Sequence, residues 1–176
     1  RTSPFSSGPE YVLNGDKHPG RVSFLVQFDR DDDTLRDEID PEWGATFELR
    51  SNLWSSGIAN EANSNFSSVL VLAIGPIMMH GANIRGLPYG TTHHSMMETF
   101  HSGTEMRKWY KIDIRLSWAK GIYDIFLDDS IVVESAPFLA EKLKAVSISN
   151  SHPSVRGWFD EIFVGDDTTM GFRCPK

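Results

Sequence analysis

MRKWYKIDIRLSWAKGIYDIFLDD, residues Met106 to Asp129, decides the fold class. From Trp109 onward, polar and apolar positions alternate. Trp109, Lys111, Asp113, Arg115 and Ser117 share one face, and Tyr110, Ile112, Ile114, Leu116 and Trp118 share the other. A period of two is the signature of a half-buried strand, because successive side chains point to opposite sides. Ala119-Lys120-Gly121 then predicts a short hairpin turn. The alternation resumes with Ile122, Asp124, Phe126 and Asp128 set against Tyr123, Ile125 and Leu127, and Asp128-Asp129-Ser130 predicts the next turn.

The same signal recurs outward in both directions. RVSFLVQF (21–28) is apolar on both faces and rich in β-branched and aromatic residues, which predicts a central strand. ATFELRSN (45–52), SSVLVLAIG (67–75), SIVVES (130–135), AVSISN (145–150) and GWFDEIFVG (157–165) complete the set. Helix signals are scarce. The best helix-like window is APFLAEKLK, Ala136 to Lys144. Many short strands, tight turns and little helix predict an all-β, two-sheet antiparallel sandwich.

Composition bounds the function classes. The chain has 176 residues, enough for a single domain with a sizeable core. Its net charge of −7 disfavours nucleic acid as a partner, since phosphate binding needs a positive patch. No apolar run reaches the roughly 20 residues that span a bilayer, so direct membrane insertion is not expected. The one cysteine, Cys174, excludes a disulfide within the chain. An odd cysteine, with the sequon Asn65-Phe66-Ser67, points to an extracellular or cell-surface protein of the secretory pathway. The expected organisation is one domain over 1–173, with 174–176 opening a following cysteine-rich module.

The order of the second half resembles the concanavalin A-like lectin/glucanase superfamily, and within it the laminin G-like domains. The resemblance rests on Trp109, on Tyr123-Asp124 and Asp128 in YDIFLD, and on Gly157, Asp160 and Glu161 in GWFDEI. It spans about Lys108 to Gly165. It implies a jelly roll whose ligand sites lie on a sheet face or on rim loops. Members include lectins, protein-binding adhesion modules, and polysaccharide hydrolases and lyases.

Recognition and catalysis are therefore the readings to weigh. Sandwich glycosidases of this superfamily carry two carboxylates on one strand face, about 5 Å apart in retaining enzymes. No E-x-D-x-E run occurs on any expected strand, and Glu48 stands alone. Strict alternation puts Trp158, Asp160 and Ile162 on one face of the last strand and Phe159, Glu161 and Phe163 on the other. Asp160 and Glu161 would then not act as a pair. A lyase would draw on Tyr89, His93, His94 or Tyr110. The expectation is a non-catalytic recognition module for a glycan or a protein, with a carbohydrate-active enzyme as the alternative.

Candidate contacts cluster in GANIRGLPYGTTHHSMMETFHSG (81–103), which lacks strand periodicity. Arg85, Tyr89, His93, His94 and His101 are the expected ligand-binding residues there. Trp54, like Trp43, is the kind of aromatic that anchors a sugar ring or a protein partner. His93, His94, Glu98 and His101 also hold Zn²⁺-type ligand atoms, at a spacing that fits no known zinc motif. Seven acids lie between Asp29 and Asp40. Asp29, Asp31, Asp33 and Asp37 follow the spacing of a calcium loop, but Thr34 stands where an EF-hand needs glycine. Two readings stand: a solvated acidic loop, and a rim Ca²⁺ site as the one cofactor.

Overall fold

The computed structural model describes residues 10–30, 45–50, 68–74, 78–82, 98–138, 141–150 and 155–166. Among them run eleven strands: β1 (Glu10–Lys17), β2 (Arg21–Arg30), β3 (Ala45–Arg50), β4 (Ser68–Ile74), β5 (Met78–Ala82), β6 (Glu98–Ser102), β7 (Trp109–Ser117), β8 (Ile122–Leu127), β9 (Ser130–Pro137), β10 (Leu143–Asn150) and β11 (Val155–Gly165). They form a six-stranded sheet, β1-β10-β3-β4-β5-β6, and a five-stranded sheet, β11-β2-β7-β8-β9. Each neighbouring pair is antiparallel. The all-β antiparallel sandwich expected from sequence is the observed fold.

Alternation decides which residues build the core. Val22, Phe24, Val26 and Phe28 of β2 are fully buried, as are Ile112 and Ile114 of β7, Ile125 of β8 and Phe47 and Leu49 of β3. Phe24 of one sheet stacks on Phe47 of the other at a centroid distance of 4.0 Å, which locks the two layers face to face. Trp118 packs against this core, while Trp109 lies exposed on the opposite side of its sheet. The nine-residue spacing requires that separation.

The tight turns follow the expected chemistry. In the β7–β8 turn Gly121 has φ +63°, and a Cβ there would meet the Phe138 carbonyl oxygen at 3.1 Å. The β8–β9 turn places Asp128 and Asp129 both at positive φ, 47° and 66°. That is the type I′ geometry whose twist suits a two-residue hairpin. Asp128 also accepts from the Lys111 amide at 2.9 Å, which ties the turn to β7.

Two expectations are corrected. The described part of the helix-like window, Ala136 to Lys144, is the end of β9, a link and the start of β10. Phe138 is buried edge-on against Trp118 at 5.1 Å, so tertiary packing outweighs a weak local preference. In β11 the alternation is broken. Asp160 pairs with Leu25 but Phe163 pairs with Ser23, so a bulge intervenes at Glu161, whose φ is +49°. Asp160 Oδ1 accepts from the Glu161 amide at 2.8 Å and holds this conformation. Phe159 and Val164 therefore pack on the core, whereas Phe163 comes to the outer face opposite Ser23.

Candidate functional site

The stretch 81–103 is anchored at one edge of the six-stranded sheet. It leaves β5 and returns on β6, the last two strands of that sheet. Arg85, Tyr89, His93 and His94 lie outside the described residues, as do Trp54 and Trp43. His101 is described. A register shift in the β5–β6 pairing, where Met79 faces His101 and His80 faces Thr99, accompanies Phe100 and His101. The His101 ring meets Tyr110 at 5.6 Å, and its Nε2 is shielded with no hydrogen-bond partner. It is thus packed inward rather than displayed on the sheet face.

Tyr110 is held from both sides. Its hydroxyl accepts from the Glu105 amide at 2.6 Å, and the Lys108 ammonium lies 5.0 Å from its ring centre. Lys108 in turn bonds the Glu105 carboxylate at 2.8 Å. That hydrogen bond, with the cation's charge, keeps the Glu105 carboxyl below the ordinary range; the same bond raises Lys108 above its own. Tyr110, named above as a lyase candidate, is almost fully buried in this arrangement.

The outer face of the six-stranded sheet carries a feature that sequence reading missed. Glu48 and Arg50 alternate with the buried Phe47 and Leu49, so they share the side away from the core. Arg50 Nε bonds Glu48 Oε2 at 3.0 Å, and their side chains are 7% and 24% exposed. Ser147 of β10 lies opposite Glu48, and Ala145 opposite Arg50. Glu48 is the one carboxylate of β3, as the sequence has it, and its partner on that face is a cation. The i, i+2 spacing in Glu-Leu-Arg was the available signal, since a strand puts such residues on one face.

On the other sheet the carboxylates serve the fold. Asp113 bonds Arg21 at 2.8 Å. Asp124 accepts from the Ser135 amide at 2.7 Å, where Ser135 adopts φ +53°. Asp29 accepts from Arg107 Nε with both oxygens at 3.2 Å. Asp29, the one described member of the calcium-loop spacing, is thus held by a guanidinium whose side chain is largely exposed. Asp31, Asp33 and Asp37 lie outside the described residues. Among the described residues no three His, Cys, Asp or Glu side chains gather at metal-binding distance.

No protein-family model and no curated protein sequence matches the chain. Solved structures do. A doubly substituted human galectin-16 superposes with TM-score 0.57 at 8% identity, over 92% of this chain and 97% of that one. An endo-beta-1,4-glucuronan lyase from the fungus Trichoderma reesei gives 0.54 at 10% identity, over 90% and 73%. A sialidase gives 0.56 at 10%, covering 93% of this chain, which spans 15% of the sialidase's length. Identities this low speak to architecture alone, and the architecture common to these proteins and this chain is the concanavalin A-like lectin/glucanase fold.

Proposed function

We propose that this chain is a non-catalytic recognition module of laminin G-like type, part of a larger cell-surface or secreted protein, and that its ligand is a glycan or a protein. The observation that carries the reading is the Glu48–Arg50 pair on the outer face of the six-stranded sheet. A sheltered ion pair away from the core does less for stability than apolar packing would. It does hold the partly exposed Glu48 carboxylate fixed through the buried Arg50, and a fixed acceptor is what a hydroxyl-rich ligand requires. The excursion carrying Arg85, Tyr89, His93 and His94 starts and ends at the edge of the same sheet. The ligand lies on that face or against that excursion. The carboxylates that each hold a backbone amide or a guanidinium support recognition over catalysis.

A glycan array followed by calorimetric titration of the best binder tests this. Glu48→Gln keeps the shape and removes the charge; it is expected to weaken binding at least tenfold with Tm changed by a few degrees. Arg85→Ala with Tyr89→Ala should do the same. Variants that lose stability while binding is unchanged would make these groups structural. New reducing ends or unsaturated uronic ends released from polysaccharide would establish the enzyme alternative.

A further inference from the structure

The five-stranded sheet carries a second surface that the proposed site does not use. Its outer face is ordered by strand pairing. Trp158 of β11 lies opposite Gln27 of β2, and Gln27 lies opposite Trp109 of β7. Val26 and Phe28, the neighbours of Gln27, point into the core, so the row Trp158–Gln27–Trp109 faces outward. Both tryptophans are 42% exposed. Strands two apart in a sheet are separated by about 10 Å, which sets the spacing of the two indoles across the amide.

The surroundings of this row decide what it suits. Gln27 Nε2 donates to the Arg107 carbonyl oxygen at 2.7 Å, which pins the amide between the rings. Its carbonyl oxygen and second N–H can meet a ligand. On one side of the row, Arg107 is bonded to Asp29. On the other, Lys111 is bonded to Asp129 at 2.6 Å. These charges are matched cation to anion, Trp158 is flanked on its own strand by one cation, Arg156 opposite Asp29, and one anion, Asp160 bonded to the Glu161 amide, and the row itself is neutral. A docking site for a charged partner would present an unbalanced sign, and one for an apolar helix would not centre on a fixed amide. Two aromatic faces flanking a donor–acceptor group suit a flat molecule with apolar C–H faces and hydroxyl edges. Alternate pyranose rings of an extended glycan recur at a distance close to the strand spacing above.

We infer that the outer face of the five-stranded sheet is a second glycan-binding surface, on which Trp109 and Trp158 stack on two sugar rings of an extended neutral oligosaccharide while Gln27 bonds the hydroxyls between them. The inference stands apart from the proposed function, because it involves the opposite sheet and none of the same residues. Indole burial on binding reduces both hydration and mobility at little entropic cost, which is why tryptophan concentrates at binding hot spots.

The probes are cellohexaose, xylohexaose, mannohexaose and chitohexaose, titrated against the full chain by calorimetry and tryptophan fluorescence. At least one is expected to bind and to shift the emission. Trp109→Ala and Trp158→Ala should each weaken that binding about tenfold or more, equal to about 1.4 kcal/mol. Gln27→Glu, of equal size but without the donor to the Arg107 carbonyl oxygen, should weaken it as well; both tryptophan variants, at exposed positions, should keep Tm within a few degrees of wild type, which separates a binding role from a failure to fold. Hexaose binding that is lost in Glu48→Gln but kept in both tryptophan variants would overturn only the present inference and leave the six-stranded face as the site. Three further results overturn the inference: no hexaose binds at millimolar concentration; the tryptophan variants bind within twofold of wild type; or sedimentation shows a dimer that the Trp109→Ala/Trp158→Ala variant dissociates, making the face a contact between copies.

Discussion

Replacing Asp113 with alanine tests how a charge comes to be buried on the outer face of a sheet. Its side chain and that of Arg21 are 4% and 5% exposed, and they meet at 2.8 Å. Arg115 approaches the other oxygen of Asp113 at 3.6 Å and lies over the Phe126 ring at 4.1 Å. Removing one member of a buried pair costs about 3–5 kcal/mol, because the partner keeps its desolvation penalty and loses its counter-charge. Arg115 is half exposed and can be rehydrated, which argues for the lower end, about 3 kcal/mol. In a domain of this size each kcal/mol moves Tm by about 2–4 °C, so Asp113→Ala should lower Tm by about 6–12 °C. Calorimetry and urea unfolding measure this directly. A double-mutant cycle with Arg21→Met should show that the two changes together cost about 2 kcal/mol less than they do separately. A loss below about 1 kcal/mol, as for an ordinary surface pair, would refute the reasoning. So would strict additivity in the cycle.

Further outcomes are expected at sites that test other parts of the fold. Phe47→Ala removes half of the ring stack between the sheets and should cost about 3–5 kcal/mol in urea unfolding, against less than 0.5 kcal/mol or so for a change at exposed Lys120. Gly121→Ala combines positive φ with the close Phe138 carbonyl oxygen and should destabilise by about 1 kcal/mol or more, while Asp129→Gly relieves its own positive φ but loses the ion pair to Lys111, so its net effect should lie within about 0.5 kcal/mol. The depressed Glu105 carboxyl stabilises above the ordinary carboxylate range and loses that contribution as pH falls through its folded value; raised Lys108 stabilises below the ordinary lysine range and loses it as pH climbs through its own. Titration by NMR should therefore find Glu105 moved back up in Lys108→Ala, with little change in Tm because both groups are exposed.

Period-two alternation is a local property of the chain, and it alone determined a great deal. It assigned most of the strands of the second half, the two faces of β7 and β8, and the opposite placement of Trp109 and Trp118. These follow from backbone geometry and hold whatever the strand pairs with. Partner choice is non-local, so it was decided only in three dimensions. β2, from the first part of the chain, inserts between β7 and β11 and brings Trp109, Gln27 and Trp158 into one row. No spacing in the sequence relates those three residues. Asp113 sat on a face read as polar, yet it is almost fully buried, and Arg21 from 92 residues away neutralises it. The bulge at Glu161 likewise escaped a strict alternation, since an inserted residue shows only when a partner strand counts against it. Phe163 consequently changed faces. Glu48 and Arg50 share a strand face by their spacing, but their shelter from water depends on the tertiary fold, because burial is set by what packs nearby rather than by the strand itself.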